Sequence, residues 1–288
     1  MKNIYLIIVV AIALAFQACD KIDGQYTTPV PVKDWYGKKI LLEDYTGHSC
    51  VNCPRAAKAA RNLEALYGEK LIVMSVHVGD FALPAPGDGL PEDFRTQAGT
   101  DWDNKFIHTA TGTGLPNGMV NRWGFPTTSN IIGDGAWGSK ISSMMTQVPY
   151  MSVAFQNNIY TAADSTVSGT VKVKVLKVNN YKTNLTICIT EDSIIAGQKN
   201  SVSFGDPSLP AFVPNYNHMH LLRGSINGSW GSTVFDGTTY NLVGTEKPTS
   251  YTYKIPKSLW KVKNLHLIAF VYDANTYEVL QAEEIPVQ

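Results

Sequence analysis

The apolar positions of this chain follow two rhythms, and the change falls near Val148-Pro149. Before it, short apolar runs alternate with helical spacing. Ile40, Leu41 and Leu42 form the kind of run carried by a strand buried on both faces, and Thr46-Gly47 breaks it. Ala56, Ala59, Ala60, Leu63 and Tyr67 fall on one face of a helix that Gly68 closes. Lys70 to Val78, carrying Ile72, Val73 and Val76, predicts the second strand of a β-α-β unit. From Gly79 to Gly99 the periodicity disappears and Pro84, Pro86 and Pro91 mark a long loop, a setting common for lids and binding surfaces. Thr100 or Asp101 is expected to cap a helix with Trp102, Phe106 and Ile107 as its apolar positions, ending near Ala110. Met119 to Arg122 and Thr127 to Ile132 are expected to pair antiparallel, and Trp137 to Gln147 to form a helix with Ile141, Met144 and Met145 inward.

After the change the period is two. Val171, Val173 and Val175 alternate with lysines, Leu185, Ile187 and Ile189 repeat the pattern, and Leu265, Leu267, Ala269 and Val271 carry it near the end. Turn-rich segments separate these runs, which predicts a β-sandwich of immunoglobulin-like type. Cys188 breaks the parity of its strand, so it faces outward or lies between layers, with a small buried apolar role as the default. His218 and His220 alternate with Met219, a spacing that two metal ligands on one strand face also use. No metal site is expected from it.

The first residues carry an address. Lys2, the apolar run Ile4 to Phe16 and the approach Gln17-Ala18 read as a signal peptide over residues 1–18, too short to span a bilayer comfortably. Cys19, directly after the run, reads as the lipidation site of a bacterial lipoprotein, with residues 19–34 as a lipid-bearing tether. A lipid there anchors the chain to a membrane without a spanning helix.

With Cys19 set aside, Cys50 and Cys53 remain as a pair and Cys188 alone. The pair sits where the predicted strand hands over to the predicted helix. A cysteine at a helix N-terminus faces free backbone N–H groups and the positive end of the helix dipole, both of which favour the thiolate. A second cysteine one turn on can attack a mixed disulfide and release the partner. Pro54 is tolerated because first-turn residues have no intrahelical acceptor. In an exported setting such a pair is either redox machinery or a small staple.

Leu41 to Gly47, the Cys50/Cys53 pair and the helix after it resemble the thioredoxin-like fold, and the chain more narrowly resembles the Omp28-related outer membrane lipoproteins. The resemblance implies an α/β thioredoxin-like domain over 35–148 followed by an all-β immunoglobulin-like sandwich over 149–288. It implies that Asp44, six residues before Cys50, is the buried acid that helps deprotonate Cys53. Pro116 takes the place of a cis-proline beside the dithiol, with Leu115 offering backbone to a substrate chain. The sequence departs from the thioredoxin pattern at Ser49, where tryptophan is common, and at Val51-Asn52 between the cysteines. Asn121-Arg122 recurs in the Omp28-related pattern, and a structural role is expected for it. His48 is placed to lower the pKa of Cys50 if protonated.

The 288 residues carry 24 basic and 24 acidic side chains, so there is no electrostatic footprint for nucleic acid. No cofactor is expected. The catalytic candidates are Cys50, Cys53, Asp44 and Pro116, in an envelope lipoprotein of the outer membrane whose partners are thiols or disulfides of envelope proteins. The other reading is a surface binding or structural lipoprotein in which Cys50-Cys53 is a permanent disulfide.

Overall fold

The computed structural model describes residues 37–107, 114–126, 130–256 and 260–287, so the expected signal peptide, Cys19 and the tether lie outside the described residues. Strand β1 (Ile40–Thr46) is buried along its whole length. It pairs in parallel with β2 (Leu71–His77), Ile40 opposite Leu71 and Thr46 opposite His77, and antiparallel with β3 (Asn117–Val120). Helix α1 (Cys53–Tyr67) connects β1 to β2 and ends at Gly68, whose φ of 55° suits a residue without Cβ. Ala56 and Ala60 of α1 pack with Ile40, Leu42, Leu71 and Val73, and helix α3 (Asp134–Met145) adds Trp137, Ile141 and Met144. The helical spacing read from the sequence holds here.

Two local expectations are corrected. Helix α2 spans Gln97–Trp102, and its cap is Thr96, whose hydroxyl accepts from the Gly99 N–H at 3.0 Å. A wider π-type turn, Asp103–Ile107, follows, and residues 108–110 lie outside the description. The strand expected over Met119 to Arg122 stops at Val120, because Asn121 and Arg122 both take φ near 51° and turn the chain out of the sheet. Its ladder partner is β1. The expected second strand meets it through one isolated bridge, Gly118 to Ile132, and residues 127–129 lie outside the description.

The rest of the chain is mostly β. Its strands are β4 (Met151–Thr161), β5 (Thr166–Val175), β6 (Lys182–Glu191), β7 (Ile194–Lys199), β8 (Phe212–His218), β9 (Leu221–Ser225), β10 (Ser232–Asp236), β11 (Glu246–Lys254), β12 (Leu265–Asp273) and β13 (Val279–Pro286). The main sheet has the order β13-β12-β6-β9-β2-β1-β3, with β10 paired to β6. It crosses the position where the sequence changes rhythm. The joint is narrow: β9 meets β2 at Leu221 opposite Ser75, where the Ser75 N–H donates to the His220 carbonyl at 2.8 Å.

Alternation on β6 and β12 explains what covers each face. Leu185, Ile187, Ile189, Leu265, Leu267, Ala269 and Val271 point to one core, closed by the three-stranded sheet β11-β5-β4 with Val171, Val173 and Val175. Cys188, Ile268, Phe270 and Tyr272 point to the other, shared with Leu41, Tyr45, Met74, Val76 and Trp102. Both faces of β6 are buried, so Cys188 lies between layers, and burial pushes its thiol pKa up, out of the reactive range.

That shared core contains an ion pair. Arg122 Nε and Nη2 donate to Glu43 Oε2 and Oε1 at 2.8 and 2.7 Å, with both side chains fully buried. The guanidinium lies 4.8 to 5.7 Å from the ring centres of Phe106, Phe270, Trp102 and Tyr272. Burial alone would lower the Arg122 pKa; the charge and hydrogen bonds of Glu43 outweigh it and hold the side chain protonated. Asn121 fastens the same turn, its Oδ1 accepting from the Leu41 N–H and its carbonyl from the Val279 N–H, both at 2.8 Å. The role expected for Asn121-Arg122 is structural, and this is its chemistry.

Removing one member of a buried pair strands the other charge, at a cost of about 3–5 kcal/mol. Arg122→Met should therefore destabilise the protein by about that amount, while Glu43→Leu combined with Arg122→Met should recover most of the loss. Denaturant unfolding of the parent and the two variants checks this. A loss under about 1 kcal/mol for the single variant would show that the pair does not hold the core.

Candidate functional site

Along the face of β1 and β2 that meets α1, the residue type changes from apolar to polar. Ile40, Leu42, Leu71 and Val73 give way to Asp44, Thr46, Ser75 and His77. The polar half lies beneath the N-terminus of α1. There the chain leaves β1 through Gly47, whose Cβ would lie 2.5 Å from the Phe81 carbonyl oxygen, so only glycine fits. Cys50 N–H donates to the Gly47 carbonyl at 3.1 Å, and Cys50 and Cys53 form a disulfide with their Cα atoms 5.4 Å apart.

Asp44 and Cys53 line one small cavity of about 30 Å³ together with Ser75, His77, Gln198 and His218. That volume suffices for a water molecule or two. Asp44 is 1% exposed, and neither carboxyl oxygen has a hydrogen-bond partner among the described residues. Burial pushes its pKa up to about 7; Asp134 adds to the shift, and His220 and Arg61 oppose it.

Three imidazoles surround the ring of Phe94, with His77 and His218 at 5.2 Å and His48 at 5.7 Å between centres. Burial holds His77 well below its usual pKa, and the charges of His218 and His48 act in the same direction. Burial also pushes His218 down to about 4. His48, expected from the sequence beside Cys50, is buried, and its Nε2 donates to the Leu83 carbonyl at 2.9 Å.

Both cysteines are only 2% exposed. The cover comes from the β7-β8 hairpin, whose loop crosses the Cys50-Cys53 turn. Lys199 N–H donates to the His48 carbonyl at 2.8 Å and Ser201 N–H to the Val51 carbonyl at 2.7 Å. Gln198 Nε2 reaches the carbonyls of Cys50 and Gly47 at 3.2 and 3.3 Å. At the rim, Arg55 Nη1 donates to the Phe204 carbonyl at 2.6 Å and Lys58 pairs with Asp206 at 3.0 Å.

Of the four residues singled out from sequence, Asp44 and Cys53 share the cavity and Cys50 is bonded to Cys53. Pro116 does not line that cavity. The Leu115-Pro116 peptide is cis and directly precedes β3, whose Asn117 stands opposite Tyr45 near the end of β1. His218 and His220 both reach the cavity but hold different partners, the chain turning at His220, with φ 55°. His218 meets Phe94, whereas His220 lies 3.2 Å from Glu64 and 3.4 Å from Asp192. No group of three His, Cys, Asp or Glu suited to a metal ion occurs among the described residues.

Gln198, His77 and the hairpin were missed by the sequence reading. Ser75 and His77, polar and two apart in an apolar strand, were the one readable signal for a polar chamber. Nothing in the periodicity of residues 194–218 pointed to the cysteines.

These features define a mostly β protein with a helix-start CxxC disulfide backed by a buried carboxyl. Residues 103–288 match the family described as Outer membrane protein Omp28, and the chain belongs to that family. The match begins after the CxxC segment. Among solved structures, HBP35 of Porphyromonas gingivalis is similar at 17% identity and a TM-score of 0.62, over 88% of this chain and 76% of that one. A protein of Agrobacterium tumefaciens follows at 13% identity and a TM-score of 0.52, over 88% and 96%. A domain of the outer membrane lipoprotein Omp28 from Porphyromonas gingivalis is 23% identical over 49% of this chain and 91% of that one, with a TM-score of 0.32. At the identities of the first two the likeness is one of fold. No curated protein matches the chain.

Asp44 supplies a pH test. Its folded pKa, near 7, is above its unfolded value near 3.9, so between these values the unfolded chain ionises while the folded chain keeps the proton. Stability is thereby lost as pH rises through that window. Asp44→Asn should remove the loss, gaining on the order of 4 kcal/mol over the parent near pH 8 and little near pH 4. Equal differences at the two pH values in urea unfolding would contradict the assignment.

Proposed function

We propose that this protein is a lipid-anchored outer membrane protein, attached through Cys19, whose Cys50-Cys53 dithiol exchanges with thiols and disulfides of envelope proteins. The observation that carries this reading is the unpartnered, protonatable carboxyl of Asp44 in the same cavity as Cys53. A buried acid that makes no structural hydrogen bond costs stability, which is understandable where a proton must be held for chemistry. The parallel β1-α1-β2 unit with antiparallel β3 supports a thioredoxin-like reading of residues 35–148. The packing of β11-β5-β4 on β6 and β12 supports a sandwich-like reading of residues 149–288.

From the disulfide state, a client thiolate attacks Cys50 Sγ, breaking the Cys50-Cys53 bond and forming a mixed disulfide. Cys53 leaves as a thiolate and takes a proton, for which Asp44 is the nearby donor. A second client thiolate attacks the client sulfur of the mixed disulfide and releases Cys50 as a thiolate, stabilised at the start of α1. Two electrons pass from client to dithiol, and the reverse sequence reduces a client disulfide. Ser75, His77 and His218 line the same cavity as Asp44.

One observation favours a permanent disulfide in a structural or binding lipoprotein: both cysteines lie under the hairpin. The equilibrium reduction potential of the unlipidated mature chain separates the two readings. The redox reading expects a value between about −120 and −270 mV and loss of exchange in Cys50→Ala; a value below about −300 mV with slow exchange identifies a staple.

A further inference from the structure

The segment covering the cysteines has the marks of a displaceable occupant. It belongs to the separate two-stranded sheet β7-β8, outside the main sheet. The small core beneath that sheet consists of Phe94, Ala196 and Leu221 with Ile194 packed against them. Val202 and Phe204 are 56 and 69% exposed, so the loop gains little from apolar burial. Regions with few buried apolar contacts open at low free energy. What holds the loop over the CxxC turn is mainly polar: two backbone hydrogen bonds, the Gln198 amide and the rim contacts of Arg55 and Lys58.

The two backbone donors are residues 199 and 201, two apart, as in an extended strand, and their acceptors are the carbonyls of His48 and Val51, which flank Cys50. A thiolate must reach Sγ of Cys50 from outside, and at 2% exposure it has no path while the loop is seated. An extended polypeptide that replaced the loop would find the same two acceptors and, beside them, exposed Val51, Phe81 and Leu83 at 42, 48 and 39%. We propose that residues 198–206 form a strap that stands in for substrate, and that sulfur exchange requires an extended polypeptide client to displace it. This rests on the redox reading of Cys50-Cys53 and adds the class of client and the gate.

Gly205 provides the test. A Cβ there would lie 2.5 Å from the Val51 carbonyl oxygen and 2.3 Å from Asn200 Oδ1, so Gly205→Ala should lift the strap. Lys58→Ala loosens it independently at the rim and serves if Gly205→Ala disturbs folding. Hydrogen exchange at the Ser201 amide reports strap release, and the rate of disulfide opening by dithiothreitol reports access. Release should speed opening roughly 5- to 30-fold, the effect of losing one or two hydrogen bonds. The parent disulfide should also react faster with a short extended peptide bearing one cysteine than with free cysteine.

Unchanged opening rates despite a deprotected Ser201 amide would overturn the gate. Equal rates for the peptide and free cysteine would overturn the client class. The equilibrium constant with dithiothreitol tests the redox reading separately: a disulfide resistant to reduction that nevertheless opens faster in the variants keeps the strap and removes the exchange function.

Discussion

The Glu43-Arg122 pair constrains the fold because its members come from separate parts of the chain and its surroundings from still others. Glu43 lies in the middle of β1, Arg122 on the turn after β3, and the rings around the guanidinium belong to α2, the π-type turn and β12. A buried guanidinium is tolerable only with its carboxylate in bidentate contact, so β1, β3 and β12 must approach together. Asn121 adds backbone bonds to Leu41 and Val279 at the same place, which ties the edge of the β1-β2 pair to β13. The main sheet runs from β3 through the narrow β2-β9 joint to β13, and these contacts bring its two ends together.

That continuity places the hairpin over the cysteines. With β9 beside β2, the β7-β8 segment just before β9 is delivered to the end of β1 and the start of α1. The chamber is thus made by two stretches far apart in sequence: Asp44, Cys53 and His77 from one side, Gln198 and His218 from the other. Family membership rests on residues 103–288, which include the hairpin and exclude Cys50 and Cys53.

Much of the local structure was legible. The apolar run of β1, the alanine face of α1 and the period-two strands β5, β6 and β12 all follow from where side chains must be buried. The joining of strands from both sides of residue 148 into one sheet was not legible, since β9 meets β2 through a single residue pair and carries no pattern that specifies its neighbour. The start of α2 was misjudged because Thr96, Thr100 and Asp101 are all competent caps and only packing of Ala98 and Trp102 decides among them. In the site, the CxxC pair was readable from chemistry and spacing, and Asp44 only from the resemblance to the thioredoxin-like fold. The strap was not, because its bonds to the cysteine turn use backbone groups that every sequence has.

The proposed exchange requires that Cys50 make disulfides with other proteins. The full chain carrying Cys53→Ala, produced in a bacterial envelope and acid-quenched before non-reducing electrophoresis, tests it most directly, since a mixed disulfide at Cys50 then has no resolving thiol. Adducts with envelope proteins that disappear when Cys50→Ala is added are expected. A chain that stays free of adducts, with Cys50 recovered as a thiol, would contradict it.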